Sequence, residues 1–483
     1  MKRSFLLGET TPQARQRFYL LLTAATVAFV MLMLASPIAF PLDDAYITIH
    51  NAQALLAGAD RNYHTPALAG ATSLVHLLLV AISIGLSAPL TGSFLVSGVA
   101  ILLYALGLAR LTFQQGGTVI LAVTMTTLGL FIGFAPLQLL NGLETGLAMA
   151  AVTWALIFAL QPEPSKALPL LCSVLPYIRP ELGGLSLLLM LRQCAIRLAV
   201  RNTSAMLTDC AVCLAGAAPW LIWQWTATAS FIPLTATAKR AFFAEEGWSA
   251  RQKLGTMLMG LLVSGLAPLC LTLPILRRTP LAACITAYTF FIFLGLYLVF
   301  PSGATQNCSR YLFILLPLLL YGLIGIVRQR PCMGRAILAV SLVSMFGCSR
   351  IVEASYKQDI LFTNSELAKT AQWANAHLPP DAKILIHDAG YIAFATPFQL
   401  DDVVGLKTPA NIHYFQNMPH TQAVGLIAQR DHPGYAIILH DQSHFWSRLE
   451  NDLNDNGWRL HLLRAPTGKL GYYIYALTPP RAE

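Results

Sequence analysis

Residues 18–44 read FYLLLTAATVAFVMLMLASPIAFPLDD, an uncharged apolar run that ends in two adjacent aspartates, Asp43 and Asp44. As an α-helix, the run from 18 to 40 is about 35 Å long, enough to cross the ~30 Å hydrocarbon core of a bilayer. The run is too long for a signal peptide and lacks a small-residue cleavage site, which favours a retained helix. The stretch therefore predicts a membrane-spanning helix followed by an acidic loop.

The composition of the whole chain extends this prediction. Hydrophobic residues make up 55% of the 483 residues and charged residues 11%, with a mean hydropathy of +0.58. A water-soluble chain of this length needs more charge to cover its surface, so we predict a polytopic α-helical membrane protein. About eleven spans are expected, at residues 18–40, 72–90, 94–109, 119–140, 147–160, 167–191, 211–225, 254–276, 281–300, 311–327 and 336–348.

Basic residues predict the orientation, because short cytoplasmic loops carry an excess of Lys and Arg. They cluster before the first predicted span and after the sixth, eighth and tenth, at Lys2, Arg3, Arg15, Arg17, Arg192, Arg197, Arg201, Arg277, Arg278, Arg328, Arg330 and Arg335. This pattern places the N-terminus in the cytoplasm and the acidic loop and C-terminal tail outside a bacterial inner membrane. Arg110 and Lys166 depart from it, which leaves the topology of residues 92–166 open.

The net charge of +9 does not indicate a nucleic-acid partner, since most of the surplus lies at predicted helix ends, beside anionic lipid. The nine cysteines lie mainly within or beside predicted spans, where they act as small apolar residues. Cys210 and Cys213 have redox spacing, but they open an apolar helix, which favours a structural role.

From residue 351 the composition changes, because charged residues, His and Asn return and no span-length apolar run follows. We predict a transmembrane domain at residues 1–350 and a small extracytoplasmic α/β domain at residues 351–483. In the second domain we predict helices at 365–377 and 442–453, and strands at 383–387, 435–440, 458–463 and 472–477.

The carboxylates of Asp43 and Asp44 repel each other, so a divalent cation, a basic neighbour or a raised pKa is expected to offset the repulsion. Helical spacing of apolar residues up to Leu56 predicts a helix along the membrane interface. In a purely structural alternative, Asp43 is the N-cap of that helix and Asp44 a first-turn acid. Tyr46 and His50 are polar neighbours that favour a binding site.

Residues 43–58, DDAYITIHNAQALLAG, resemble the GT-C glycosyltransferases, and most closely their arabinofuranosyltransferase-like branch. Further stretches similar to that family follow in order: GATS at 70–73, NGLET at 141–145, RPE at 179–181, PLTATAK at 233–239, RY at 310–311, DAG at 388–390 and DVVGL at 402–406. Leu143 stands where the family often has Met, and Leu182 stands where Gly is usual.

The resemblance implies transfer of a sugar, with pentofuranose as the nearest likeness, from a polyprenyl-phosphate donor. The acceptor would be a glycan, glycolipid or protein of the cell envelope. One of Asp43 and Asp44 would be the general base, and the other its electrostatic or metal-binding partner. Mg²⁺, Mn²⁺ or Ca²⁺ is the candidate cation, as in some relatives.

A donor phosphate needs cations near the membrane surface. Lys239 is the first candidate and Arg310 the second, because both stand at predicted external ends of spans. In the alternative, their side chains reach lipid headgroups or pair with acidic neighbours. In the tail, Asp388 and Asp402 are interpreted as structural turn residues.

Charged residues at membrane depth are costly and usually face a polar cavity or each other. Arg179 and Glu181 lie within the sixth predicted span, and Glu144 lies in a short polar break, so each is a candidate wall of the donor cavity. The alternative is a structural ion pair at a kink that Pro180 introduces.

A transporter or flippase of a lipid-linked sugar is the rival hypothesis, because it too would place polar residues within spans. The predicted spans show no inverted repeat, and a transporter has little use for a folded external tail. We therefore predict an enzyme.

Overall fold

The computed structural model describes residues 10–36, 38–272, 279–440, 445–466, 468 and 470–481. Lys2, Arg3, Arg277 and Arg278, which contributed to the predicted orientation, lie outside these residues. The chain forms two compact units, each assembled from three segments. Unit 1 comprises Met1–Ile38, Ser93–Ile222 and Glu245–Tyr356, and unit 2 comprises Ala39–Gly92, Trp223–Ala244 and Lys357–Glu483.

Most of the described chain is α-helical. The helices are α1 (Pro12–Leu34), α2 (Asp43–Ala57), α3 (Leu74–Leu86), α4 (Pro89–Gln114), α5 (Val119–Phe131), α6 (Ala135–Leu140), α7 (Thr145–Ala159), α8 (Ala167–Ile178), α9 (Leu182–Ala199), α10 (Thr203–Thr228), α11 (Leu234–Phe243), α12 (Ala250–Val263), α13 (Ala267–Cys270), α14 (Pro280–Val299), α15 (Gln306–Ser309), α16 (Leu316–Gln329), α17 (Pro331–Phe362), α18 (Ala368–His377), α19 (Tyr391–Ala395), α20 (Ile412–Asn417), α21 (His420–Asp431) and α22 (Arg448–Asp455).

Seven helical segments in the described part of the chain are long and apolar enough to cross a membrane, and four shorter apolar helices accompany them. The predicted class of polytopic helical membrane protein is confirmed. The number of eleven spans stays a prediction. The predicted span at 167–191 is divided into α8 and α9. The break lies at Pro180, as expected for a residue that has no N–H to donate and crowds the preceding turn.

Unit 2 contains one five-stranded sheet. Its strands are β1 (Lys383–Ile386), β2 (Gln399–Asp402), β3 (Tyr435–His440), β4 (Arg459–Arg464) and β5 (Gly471–Thr478), in the order β2-β1-β3-β5-β4. β1 pairs in parallel with β2 and β3, whereas β5 pairs antiparallel with β3 and β4. The predicted α/β tail is thus confirmed, although β2 was not predicted. Of the predicted helix at 442–453, residues 442–444 lie outside the described chain, and α22 covers its second half.

The core of unit 2 joins the sheet to segments that lie far away in the sequence. β1 and β3 are buried apolar runs, typical of strands covered on both faces. Ile47 of α2 and Phe242 of α11 belong to the same buried cluster as Ile384 and Ile437 of the sheet. Unit 2 therefore holds the acidic loop and the tail in a single hydrophobic core. The division into domains at residue 350 stays a prediction.

Candidate active site

Helix α2 presents the acidic pair at its first two positions, and its N-cap is Leu42, which has an extended conformation. The Asp43 side chain does not cap α2, so the capping alternative is wrong for this residue. Its Oδ2 accepts a hydrogen bond of 2.8 Å from the Gly390 N–H, and its Oδ1 accepts one of 2.7 Å from the Tyr391 N–H. The main chain after β1 thus holds both oxygens of the carboxylate in place.

Gly390 allows this close approach. A Cβ at position 390 would lie 2.1 Å from the main-chain oxygen of Asp43 and 2.8 Å from its Oδ2. The φ of Gly390 is −97°, which any residue adopts, so the glycine supplies space and not an unusual turn. The DAG stretch at 388–390 therefore has a structural reason that its turn-like composition did not reveal.

Asp388 brings a third carboxylate towards the pair. Its Oδ1 lies 3.3 Å from His387 Nδ1, and its Oδ2 accepts a hydrogen bond from the Tyr472 hydroxyl. His387 Nε2 accepts the Leu439 N–H at 2.9 Å, so the ring proton is on Nδ1 and faces Asp388. Although burial opposes it, the His387 ring and the Tyr472 hydroxyl lower the pKa of Asp388 and keep it charged.

The pKa of Asp43 is shifted in the opposite direction to that of Asp388. Burial, followed by the charge of Asp388, raises the pKa of Asp43 well above its usual value. The N–H groups of Tyr391 and Gly390 act against this shift, and the Asp44 charge adds to it. Asp43 is consequently an oriented carboxylate with a stronger affinity for protons than an ordinary aspartate, as a general base requires.

Asp44 forms an ion pair with Lys239, one of the predicted donor-binding residues. Asp44 Oδ2 lies 4.0 Å from Lys239 Nζ, and the two side chains are 29% and 16% exposed. Lys239 lies on α11, which a hydrogen bond of 2.9 Å between the Thr235 and Thr72 hydroxyls ties to the loop before α3. The structure therefore brings the acidic pair and this lysine together from distant parts of the chain.

Tyr46 and His50 are buried and support α2. Tyr46 is 1% exposed, its hydroxyl accepts the Phe40 N–H at 3.1 Å, and its ring packs edge-on against Tyr391. His50 is 6% exposed, and its Nε2 lies 3.0 Å from Asn62 Oδ1. The polar side of α2 is thus covered by protein, unlike that of a helix lying on a membrane surface. Donor binding by these two residues stays a prediction.

A buried ion pair that was not predicted from the sequence lies beneath α2. Lys407 Nζ lies 2.8 Å from Asp60 Oδ2, both side chains are fully buried, and Lys407 also donates to Asn51 Oδ1 of α2. Asp60 Oδ1 accepts the N–H groups of Asn62 and Tyr63 at 3.0 Å each. Lys407 follows a buried apolar stretch, and a lone lysine there carries no signal of its partner.

Unit 1 contains a separate charged cluster around Arg179, which is 2% exposed. Its guanidinium lies 3.2 Å from Glu144 Oε1 and 2.6 Å from Glu181 Oε1, and it donates to the Thr145 hydroxyl at 3.3 Å. The guanidinium carbon also lies 4.9 Å from the centre of the Tyr311 ring. The predicted residues Arg179, Glu144 and Glu181 are therefore brought together. The pairing of Arg179 with Glu181 is the structural alternative expected at the Pro180 kink, and donor binding by the three residues stays a prediction.

Arg310 lies beside this cluster, 5.3 Å from the centre of the Tyr311 ring. The three residues before it, Asn307, Cys308 and Ser309, have left-handed backbone angles, with φ of 49°, 57° and 65°, so the short element α15 is not a regular right-handed helix. The left-handed conformation raises the free energy of the folded chain by about 1–2 kcal/mol for each such residue. Gln138 stabilises it, because its Nε2 donates to the Asn307 oxygen at 2.8 Å. Donor binding by Arg310 stays a prediction.

Residues 354–476 match a family model described as a domain of unknown function, DUF8728. The search of curated proteins finds no match. Among solved structures, the chain is similar to ArnT from Cupriavidus metallidurans in the apo state, with a TM-score of 0.52 and 13% identity over 95% of this chain and 97% of that one.

The chain is also similar to the arabinofuranosyltransferase AftD from Mycobacteria, with a TM-score of 0.50 and 16% identity. This match covers 98% of this chain and 42% of the AftD chain. The fold is that of the GT-C glycosyltransferases. The fold predicted from the loop motifs is therefore confirmed.

A divalent cation fits the acidic pair poorly. In the described part of the chain, no three His, Cys, Asp or Glu residues are grouped so that they could hold a metal ion. The ammonium of Lys239, whose Nζ lies 4.0 Å from Asp44 Oδ2, would repel a cation there.

Replacing Arg179 by Met in the GT-C fold is expected to destabilise the protein by about 3–5 kcal/mol, because Glu144 and Glu181 would lose their buried counter-charge. The matched control is Arg350→Met, which removes an ion pair with Glu353 whose side chains are 88% and 46% exposed. The control should cost less than about 1 kcal/mol. Thermal unfolding in detergent measures both, and equal shifts would contradict the structural role of Arg179.

Proposed function

We propose that this chain is a membrane glycosyltransferase that moves a sugar from a polyprenyl-phosphate donor to a hydroxyl group of a cell-envelope glycan, glycolipid or protein on the external face. The observation that carries the proposal is the acidic pair of α2, within a GT-C fold. One carboxylate is fixed by two main-chain N–H groups, and the other lies 4.0 Å from a lysine. The similarity to an arabinofuranosyltransferase supports a pentofuranose as the sugar.

Asp43 is the general base in this proposal. Its carboxylate takes the proton of the acceptor hydroxyl as that oxygen forms a bond to the anomeric carbon of the donor sugar. The bond between the anomeric carbon and the phosphate oxygen breaks, and polyprenyl phosphate leaves with the electron pair. The two N–H groups orient the carboxylate, and each oxygen keeps a lone pair for the acceptor.

Lys239 stabilises the leaving phosphate. An ammonium group is a compact point charge that suits a phosphate whose negative charge increases during bond breaking. Asp44 neutralises and positions this ammonium before the donor enters, since the two groups lie 4.0 Å apart. Asp43 and Asp44 thus have different roles, which adjacent aspartates in a sequence do not distinguish.

The test uses the full chain in lipid nanodiscs and follows release of polyprenyl phosphate from polyprenyl-phosphoryl arabinofuranose and from related sugar donors. Lys239→Gln is expected to lower kcat/KM for the donor by about 10- to 100-fold, because a hydrogen bond between charged groups contributes ~1.5–3 kcal/mol. Lys369→Gln is the matched control, since Lys369 is exposed on α18 of the same unit.

Two results would contradict the proposal. The first is that the wild-type chain cleaves none of the donors. The second is that Asp43→Asn and Asp44→Asn variants carry a sugar lipid across the bilayer without cleaving it, which would favour a flippase.

A chelator separates a metal-free base from metal-assisted chemistry. We expect EDTA to leave the rate of donor cleavage unchanged, because Lys239 supplies the positive charge that a cation would otherwise bring. A loss of rate that Mg²⁺, Mn²⁺ or Ca²⁺ restores would instead assign a cation to Asp44. The rate is measured at constant ionic strength, so that screening of the ion pair does not change.

A further inference from the structure

Unit 2 contains a polar cleft that the proposed chemistry does not use. Its volume is about 170 Å³, and its polar lining is formed by Lys383, Gln399, Asp401, Thr408, Arg430 and Asp431. Lys383 and Gln399 are paired in register at the first positions of β1 and β2. Residues 62–64, which follow the acidic helix in the chain, form another wall.

Asp401 is less exposed than the other acidic and basic side chains that line the cleft, at 12% against 31% for Arg430 and 29% for Asp431. Its Oδ1 accepts a hydrogen bond of 2.9 Å from Asn411 Nδ2, and its buried Oδ2 lies 3.9 Å from Arg430 Nη2, too far for a hydrogen bond. Burial and the neighbouring carboxyl of Asp431 raise the pKa of Asp401 to about 8. The two carboxyls therefore share a proton at neutral pH.

The balance of groups favours a neutral ligand with many hydroxyls. Because the two carboxyls share a proton and Asp431 is paired with Arg430, the inner part of the cleft is close to neutral, and the surplus positive charge belongs to Lys383, which is exposed. The cleft offers both hydrogen-bond donors and hydrogen-bond acceptors, and a sugar hydroxyl both donates and accepts. Its volume is below the ~300–1,000 Å³ that encloses a drug-sized molecule, so a single sugar ring suits it better than a chain.

The cleft and Asp43 lie at opposite ends of β1. Lys383 begins the strand, whereas Gly390 and Tyr391, which bind Asp43, follow its end. The path from Lys383 to Asp388 is about 16 Å for an extended chain at ~3.3 Å per residue. A sugar in the cleft would therefore be separated from the reacting hydroxyl by further sugar units.

We propose that this cleft binds a neutral sugar residue of an oligosaccharide acceptor, remote from the residue that is glycosylated. The proposal rests on the proposed function for the identity of the ligand as an acceptor. It explains how a transferase of this kind could distinguish a long acceptor from a short one without a change at Asp43.

The experiment measures binding of arabinofuranose and mannose oligosaccharides of increasing length to the full chain in nanodiscs, by isothermal titration calorimetry. We expect affinity for at least one series to rise with length. Lys383→Met and Asp431→Asn should each weaken binding of the longest member about tenfold or more. The controls Lys369→Met and Asp455→Asn replace exposed residues of the same unit and should bind as the wild type does.

Donor cleavage with water as acceptor is measured on the same samples. The cleft variants should cleave the donor at the wild-type rate, which also shows that they are folded. Failure of the wild type to bind any oligosaccharide, or equal binding by the cleft variants and their controls, would overturn the cleft proposal while donor cleavage stands. Binding that depends on the cleft in a chain that cleaves no donor would support the cleft and overturn the proposed function.

Discussion

Replacing Asp43 by Asn is expected to lower kcat for sugar transfer by ~10²–10⁴, the range that a positioned general base contributes. The amide cannot take the proton of the acceptor hydroxyl, although it has nearly the shape of the carboxylate. The measurement is the rate of polyprenyl phosphate release at saturating donor and acceptor, in nanodiscs. Because the donor contacts are kept, KM for the donor should change far less than kcat.

A structural effect of Asp43→Asn must be distinguished from a chemical one. The amide keeps one acceptor oxygen, so one of the hydrogen bonds from Gly390 and Tyr391 is lost, at a cost of about 1 kcal/mol. Gly390→Ala is the matched control for the structural effect. Its Cβ would displace Asp43, but the carboxylate itself is retained. A variant Asp43→Asn that folds normally and transfers sugar at the wild-type rate would refute the role of Asp43.

The pH dependence of the rate of sugar transfer gives a second test of the role of Asp43. A base acts in its deprotonated form, so the rate should fall as the pH is lowered through the pKa of Asp43. Because that pKa is raised, the fall should come at a higher pH than the value near 4 of an ordinary aspartate. Asp388→Asn removes a nearby negative charge and should move the fall to lower pH. A fall that does not move would contradict coupling between the two residues.

Replacing Lys407 by Met is expected to destabilise unit 2 by about 3–5 kcal/mol, because it leaves Asp60 buried without its counter-charge. Both side chains of the pair are fully buried, and their charged atoms lie 2.8 Å apart. The measurement is the free energy of unfolding in detergent. Lys369→Met, at an exposed position of the same unit, is the control and should cost less than about 0.5 kcal/mol.

The contribution of the Lys407–Asp60 ion pair to the free energy of unfolding should depend on pH. Although burial opposes it, the Lys407 ammonium lowers the pKa of Asp60 in the folded protein. The stabilisation is therefore fully present at pH values above the pKa that Asp60 has in the unfolded protein. It is lost as the pH falls through the pKa that Asp60 has in the folded protein. Adding Asp60→Asn to Lys407→Met should recover part of the stability, since no buried charge remains. A double variant as unstable as the sum of both single variants would contradict the pairing.

Much of the tail could be predicted, because buried strands such as KILI at 383–386 and YAIILH at 435–440 are apolar runs with clear ends. β2 was missed for a physical reason. Its sequence QLDD alternates partly exposed and buried residues, and Asp402 is buried only because main-chain N–H groups of the turn that follows bind it. That turn confirms the structural interpretation of Asp402.

The sequence by itself determined that the chain is a membrane protein, because hydropathy and segment length depend only on local composition. It also determined that two carboxylates stand together at the start of a helix, since α2 follows from local spacing. Only the tertiary structure decided that Asp43 and Asp44 have different binding partners. Asp43 bonds to N–H groups 347 and 348 residues away, and Asp44 pairs with Lys239 of α11. Such contacts arise when a shared core brings distant segments together, and local sequence does not encode which segments meet.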